Sequence, residues 1–213
     1  MRSYLSIIAI IVCLSSCKKD KTEAGFMNQY KGDPYMGDVS VTIKAPDGAS
    51  GGKSGKSSLH FADSTNSILK FVLFGALASD AGAAGDAGFI LPGNTSGDNY
   101  QFTGSGMQFN ISSDGKITGN FLSDKEKTTY TGYITATSFE MLARTELLQE
   151  NSGGMEAGTV FNFSYNMSRK STASGNDDEG GSDKKCNRVV WQMRNVYNPG
   201  GAMTMISVPV CFD

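Results

Sequence analysis

Met107-Gln108-Phe109-Asn110-Ile111-Ser112-Ser113-Asp114-Gly115-Lys116-Ile117-Thr118-Gly119-Asn120-Phe121-Leu122 reads as two short runs joined by a turn. Met107, Phe109 and Ile111 alternate with Gln108, Asn110 and Ser112. A pleated strand sends successive side chains to opposite faces, so this period of two marks a half-buried strand. Asp114-Gly115 supplies the turn chemistry of a short hairpin loop, and Lys116–Leu122 is the returning arm. The same alternation recurs outward. Val39, Val41 and Ile43 alternate with Ser40, Thr42 and Lys44, and Phe161, Phe163, Tyr165 and Met167 alternate with Asn162, Ser164, Asn166 and Ser168. Further runs lie at 58–63, 68–75, 99–104, 128–137, 187–196 and 202–212. This pattern predicts an all-β fold, an antiparallel barrel of about 8–10 strands, with a sandwich as the alternative.

The chain has 213 residues, enough for one well-buried domain, which is expected over 36–213. Its 26 glycines are well above ordinary usage and fit many tight turns. Nineteen Lys and Arg against 21 Asp and Glu leave a net charge of −2, which argues against a nucleic-acid surface. A single histidine, His60, leaves little for histidine catalysis or zinc chemistry; no cofactor and no metal site is expected. Two segments read as exposed loops, the Gly/Ser/Lys-rich 45–57 and the polar 171–185, and Ala/Gly-rich 76–88 reads as a third. The stretch 138–150 is ambiguous. It is rich in helix formers, yet Phe139, Met141, Ala143 and Leu147 would share one face of a strand, and β-like runs flank it.

The first sixteen residues read as an address. Arg2 precedes a ten-residue apolar run, Leu5–Leu14, which as a helix would rise about 15 Å and so is too short for a hydrocarbon core of about 30 Å. That length suits a signal peptide over 1–16. Leu14-Ser15-Ser16-Cys17 follows and resembles the lipobox of bacterial lipoproteins. The resemblance implies that Cys17 is lipidated and begins the mature chain, making the membrane a partner through the anchor, with residues 17–35 as a flexible tether. Two or more acyl chains would hold stably where one would not. Lys18-Lys19-Asp20-Lys21-Thr22-Glu23 is similar to the charged segment that sends lipoproteins of Bacteroidota-type bacteria to the cell surface, although Lys21 separates the two acids. The resemblance implies an outer-membrane, surface-exposed location, with inner-leaflet placement as the open alternative.

Of four cysteines, Cys13 leaves with the signal and Cys17 takes lipid, which leaves Cys186 and Cys211. Asn198-Pro199-Gly200-Gly201 suits a type II turn, and a hairpin there would place residues summing to 397–399 opposite each other. The two cysteines would then lie within disulfide reach; a free buried pair is the alternative.

Other motifs carry less. Gly51–Ser57 suggests a phosphate loop, but Ser50 stands where that motif needs glycine, and a strand follows. Asn176–Asp183 lacks EF-hand spacing. His60 alternates with Leu59 and Phe61 and reads as a surface histidine. No Gly-x-Ser-x-Gly elbow is present, and the strand-borne acids Glu140 and Glu146 are the main candidates for a carboxylate pair, so no enzyme is expected. Tyr130, Tyr133, Phe163, Tyr165 and Trp191 are candidates for core packing or for lining a ligand cavity. Asp63-Ser64-Thr65 resembles the short O-glycosylation motif of Bacteroidota envelope proteins.

The order of Met36–Lys44, Ile68–Phe74, Tyr100–Phe102, Asp114-Gly115 and Tyr130–Ala136 resembles calycin-like or lipocalin-like barrels among bacterial lipoproteins. The resemblance implies a barrel that holds one small ligand or is filled by side chains. The expected function is a non-enzymatic, lipid-anchored envelope protein binding a small apolar or amphipathic ligand. The alternative is a surface adhesion or glycan-contact sandwich acting through its loops.

Overall fold

The computed structural model describes residues 25–26, 29–30, 32–62, 68–78, 84–169, 188–197 and 203–212. Ten strands close into an antiparallel barrel: β1 (Tyr35–Lys44), β2 (Ser50–Ala62), β3 (Leu69–Ala78), β4 (Ala84–Ser96), β5 (Asn99–Gly104), β6 (Met107–Ile111), β7 (Lys116–Leu122), β8 (Glu126–Ile134), β9 (Ser138–Leu147) and β10 (Val160–Ser168). Each strand pairs with its sequence neighbour, and β1 closes the ring on β10 from Met36 opposite Ser168 to Lys44 opposite Val160. The sandwich alternative is thereby corrected to a barrel, and the architecture is consistent with the calycin-like resemblance.

Alternation sets the inside. Val39, Phe71, Leu73, Phe109, Ile117, Ile134, Met141 and Met167 face the core. The opening hairpin forms as β6–β7, but its loop has three residues, Ser113-Asp114-Gly115. The Ser112 amide donates to the Lys116 carbonyl at 3.0 Å, and the Gly115 amide to Ser112 at 2.8 Å. Gly115 sits at φ 82°, the left-handed position that ends such a loop. The ambiguous 138–150 stretch resolves as β9, paired on both sides, which satisfies its backbone without a helix.

Three expectations are overturned. Only 45–49 of the supposed loop 45–57 connects strands; from Ser50 the chain is β2, exposed but paired with β1. Gly and Ser do not favour a strand intrinsically, yet neighbours that supply the ladder override composition. Gly55 is needed there, since a Cβ would lie 1.7 Å from the Ala76 carbonyl oxygen. Within 76–88, Ala76–Ala78 and Ala84–Gly88 are strand residues of β3 and β4. Finally, the tether does not run to residue 35. Phe26 and Tyr30 are buried, at 0% and 4% exposure, and plug one end of the barrel.

That plug is aromatic. The Phe26 ring lies 4.7 Å from Tyr30 and 5.3 Å from Phe61, in edge contacts, and stacks towards Tyr100 at 5.8 Å. Arg169, just past β10, fastens it from outside. Its guanidinium donates to the carbonyls of Tyr30 (2.8 Å), Gln29 (2.7 Å), Asp33 (3.2 Å) and Ala136 (2.6 Å). It also lies 4.3 Å from the centre of the Tyr35 ring, whose hydroxyl donates to Thr135 at 2.7 Å.

Strands β11 (Arg188–Tyr197) and β12 (Met203–Phe212) form a separate hairpin, with Arg188 opposite Phe212. Partners in this hairpin sum to 400 rather than the expected 397–399, a correction to the register, and Cys211 pairs along the backbone with Val189. Cys186 lies outside the described residues, and so therefore does the disulfide expectation; the same holds for Cys17, the signal peptide 1–16 and the loop 171–185. β11 approaches β4, and β12 approaches β2, the two strands that flank β3, which lays the hairpin across the outer face of β3. There Val72 and Phe74 are buried although they point out of the barrel, as is Ser58 beside them on β2.

Candidate ligand cavity

The end of the barrel opposite the plug is hollow. A cavity of about 560 Å³ is bordered by Phe74 of β3, by β4, β8, β9 and β10 and by the β9–β10 connection. Phe89, Tyr130, Phe161, Phe163, Tyr165, Ala143 and Leu147 supply apolar walls. The strand period explains their convergence: Phe161, Phe163 and Tyr165 are alternate residues of β10, and Phe163 lies opposite Ala143, which lies opposite Tyr130. Small Ala143 between two aromatics leaves the space. Phe89, Phe161 and Phe163 remain only partly buried because the void gives them no partner on one side. The floor is a stack in which Phe89 lies 5.5 Å from Tyr130 and 5.8 Å from Phe71. Tyr100 helps to seal the layer beneath, its hydroxyl donating to the Leu91 carbonyl.

Polar groups are few and placed towards the mouth. Thr128 and Thr145 share a hydrogen bond of 2.8 Å across β8 and β9 and so satisfy each other inside the barrel. Glu126 shares the inward face of β8 with Thr128 and Tyr130, and Asp86 and Asn151 complete the rim. Burial holds the Tyr130 hydroxyl above its ordinary pKa, and the nearby Glu126 charge pushes it further up. Burial likewise raises Tyr165, so both phenols stay neutral donors.

One side of the cavity is loosely closed. β4 is 13 residues long but pairs with β5 only over Asn94–Ser96. The consecutive residues Asp86, Ala87, Gly88 and Phe89 all line the cavity, although alternation would give only every second one. They do so where the cavity reaches this unpaired edge.

The structure brings together three of the five aromatics singled out from sequence, Tyr130, Phe163 and Tyr165. Tyr133 is exposed on the outer face, and the Trp191 side chain lies outside the description. Glu140 and Glu146 both face outward, and Glu146 pairs with Arg144 at 3.0 Å, so neither enters the cavity. Gly51–Ser57 is part of β2, where Lys56 meets Asp38 at 2.7 Å in an exposed pair. His60 is half-buried under the hairpin side of the barrel rather than on the surface, and desolvation pulls its pKa down to about 4. Asp63-Ser64-Thr65 lies outside the described residues. Glu126, Phe89 and Phe161 were missed from the sequence; the alternation of Glu126, Thr128 and Tyr130 was the available signal.

Compared with known proteins, the chain matches no family model and no curated sequence.

Proposed function

We propose that this is a non-enzymatic, lipid-anchored protein of the bacterial cell envelope whose barrel holds a small apolar or amphipathic ligand. The observation that carries the reading is the cavity of about 560 Å³, walled by aromatics, at the end of the barrel opposite the plug. Ligand sites are concave and mostly apolar with a few placed polar groups, and fall in this size range. The anchor rests on the lipobox resemblance at Cys17, with an outer-membrane, surface-exposed location following from the charged segment after it. The adhesion alternative would draw on exposed coplanar aromatics; among the described residues Tyr133 is the one aromatic among the large exposed hydrophobics.

Native mass spectrometry of the full chain isolated from a bacterial envelope tests the ligand. An extra mass that is reproducible and vanishes on denaturation is expected. A bare protein mass, together with failure of an added apolar dye to bind, would overturn the reading.

A further inference from the structure

We infer that the ligand is an amphipathic organic cation, an apolar body ending in an amine or quaternary ammonium seated against Glu126. This rests on the cavity reading above and narrows it. By strand alternation only two charged residues of the barrel face inward, Glu126 on β8 and Lys53 on β2. They differ in placement. Glu126 lines the cavity, whereas Lys53 does not; the Lys53 ammonium lies against the inward face of β4, 3.9 Å from where a Cβ on Gly85 would be. The second ionisable group on the lining is also an acid, Asp86, and no basic residue lines it. Among the described residues neither Glu126 nor Asp86 makes an ion pair.

The walls fit the same charge. Phe89, Tyr130, Phe161, Phe163 and Tyr165 present π-faces that attract a cation, and Phe161 and Phe163 lie nearly parallel with centres 6.5 Å apart. A carboxylate-headed ligand would meet the like charge of Glu126 at the mouth, and no cationic side chain on the lining offsets it. A neutral ligand would leave Glu126 half-buried without a counter-charge.

The test uses three probes with one body and three heads, octylammonium, octanol and octanoate, titrated calorimetrically into the purified full chain at pH 7 and low salt. Octylammonium should bind about tenfold tighter than octanol, with octanoate weakest. Glu126→Gln should cut the ammonium-to-alcohol preference to within about threefold, and Ala143→Phe, which fills the cavity, should abolish ammonium binding. Equal affinity for octanol and octylammonium, insensitive to Glu126→Gln, overturns the cation inference and leaves the cavity reading standing. Octanoate binding tightest overturns it in favour of Lys53. Ammonium binding that survives Ala143→Phe overturns it by placing the cation elsewhere. Binding by none of the three overturns the cavity reading as well.

Discussion

Replacing Arg169 by alanine removes the clasp on the N-terminal plug. Its guanidinium donates to four carbonyls, on Gln29, Tyr30, Asp33 and Ala136, and covers the Tyr35 ring at 4.3 Å. A hydrogen bond involving a charged group contributes about 1.5–3 kcal/mol, and the cation–π contact about 1 kcal/mol, so the plain sum would exceed 7 kcal/mol. That sum is an upper bound, because the freed carbonyls at 29–33 reach water once the segment lifts. The loss is then capped by undocking Phe26 and Tyr30, and we expect about 2–4 kcal/mol. Arg169→Lys should recover less than half, since an ammonium is one point and the acceptors lie on two segments. Urea unfolding gives the magnitude, and hydrogen exchange gives the location. Amides at 29–33 should exchange faster than those of β6–β9. A loss under about 0.5 kcal/mol, full rescue by lysine, or uniform loss of protection across the barrel would refute the clasp.

Four other outcomes are expected. His60 titrates at about 4 in the fold against 6.5 as its ordinary value, so the unfolded chain binds more protons between those pH values. Stability from this group is therefore full above about pH 6.5 and lost as pH falls towards 4, by at most about 3 kcal/mol, and His60→Gln should flatten that slope in urea melts. Gly115→Ala should cost about 2–3 kcal/mol in thermal unfolding, because φ is 82° and the new Cβ would lie 2.0 Å from the Ile134 carbonyl oxygen. Ala143→Phe should leave the melting temperature within a few degrees while removing the extra mass seen by native mass spectrometry, since the ring enters existing space. Cys17→Ser should move the protein from the membrane fraction to the soluble fraction of cells.

Strands were legible where the sequence alternates cleanly. Val39–Ile43, Met107–Ile111 and Phe161–Met167 each carry their own period, and each is a strand with those residues inward. Closure was not legible, because pairing Met36 with Ser168 is a long-range choice that leaves no local mark. Ser50–Gly55 hid as a loop since Gly55 serves a close backbone approach and Ser50 and Ser54 face solvent. Phe26 and Tyr30 hid for another reason: two aromatics among polar residues carry no period, and only the open end of a barrel gives them a place to bury. In the cavity, alternation was enough to bring Tyr130, Phe163 and Tyr165 forward. Glu126 obeys the same rule, yet it lies between Lys125 and Lys127, just before the alternating run read at 128–137.

The plug also fixes which way the barrel points. The chain enters at the closed end, and only residues 18–25 separate Cys17 from Phe26, the first buried residue of the plug. Eight residues span at most about 29 Å even when fully extended. A barrel acylated at Cys17 is therefore a cup held by its base, with its closed end kept close to the bilayer and its mouth turned to the water. In that arrangement a ligand would reach the cavity from solution rather than from the lipid beneath it.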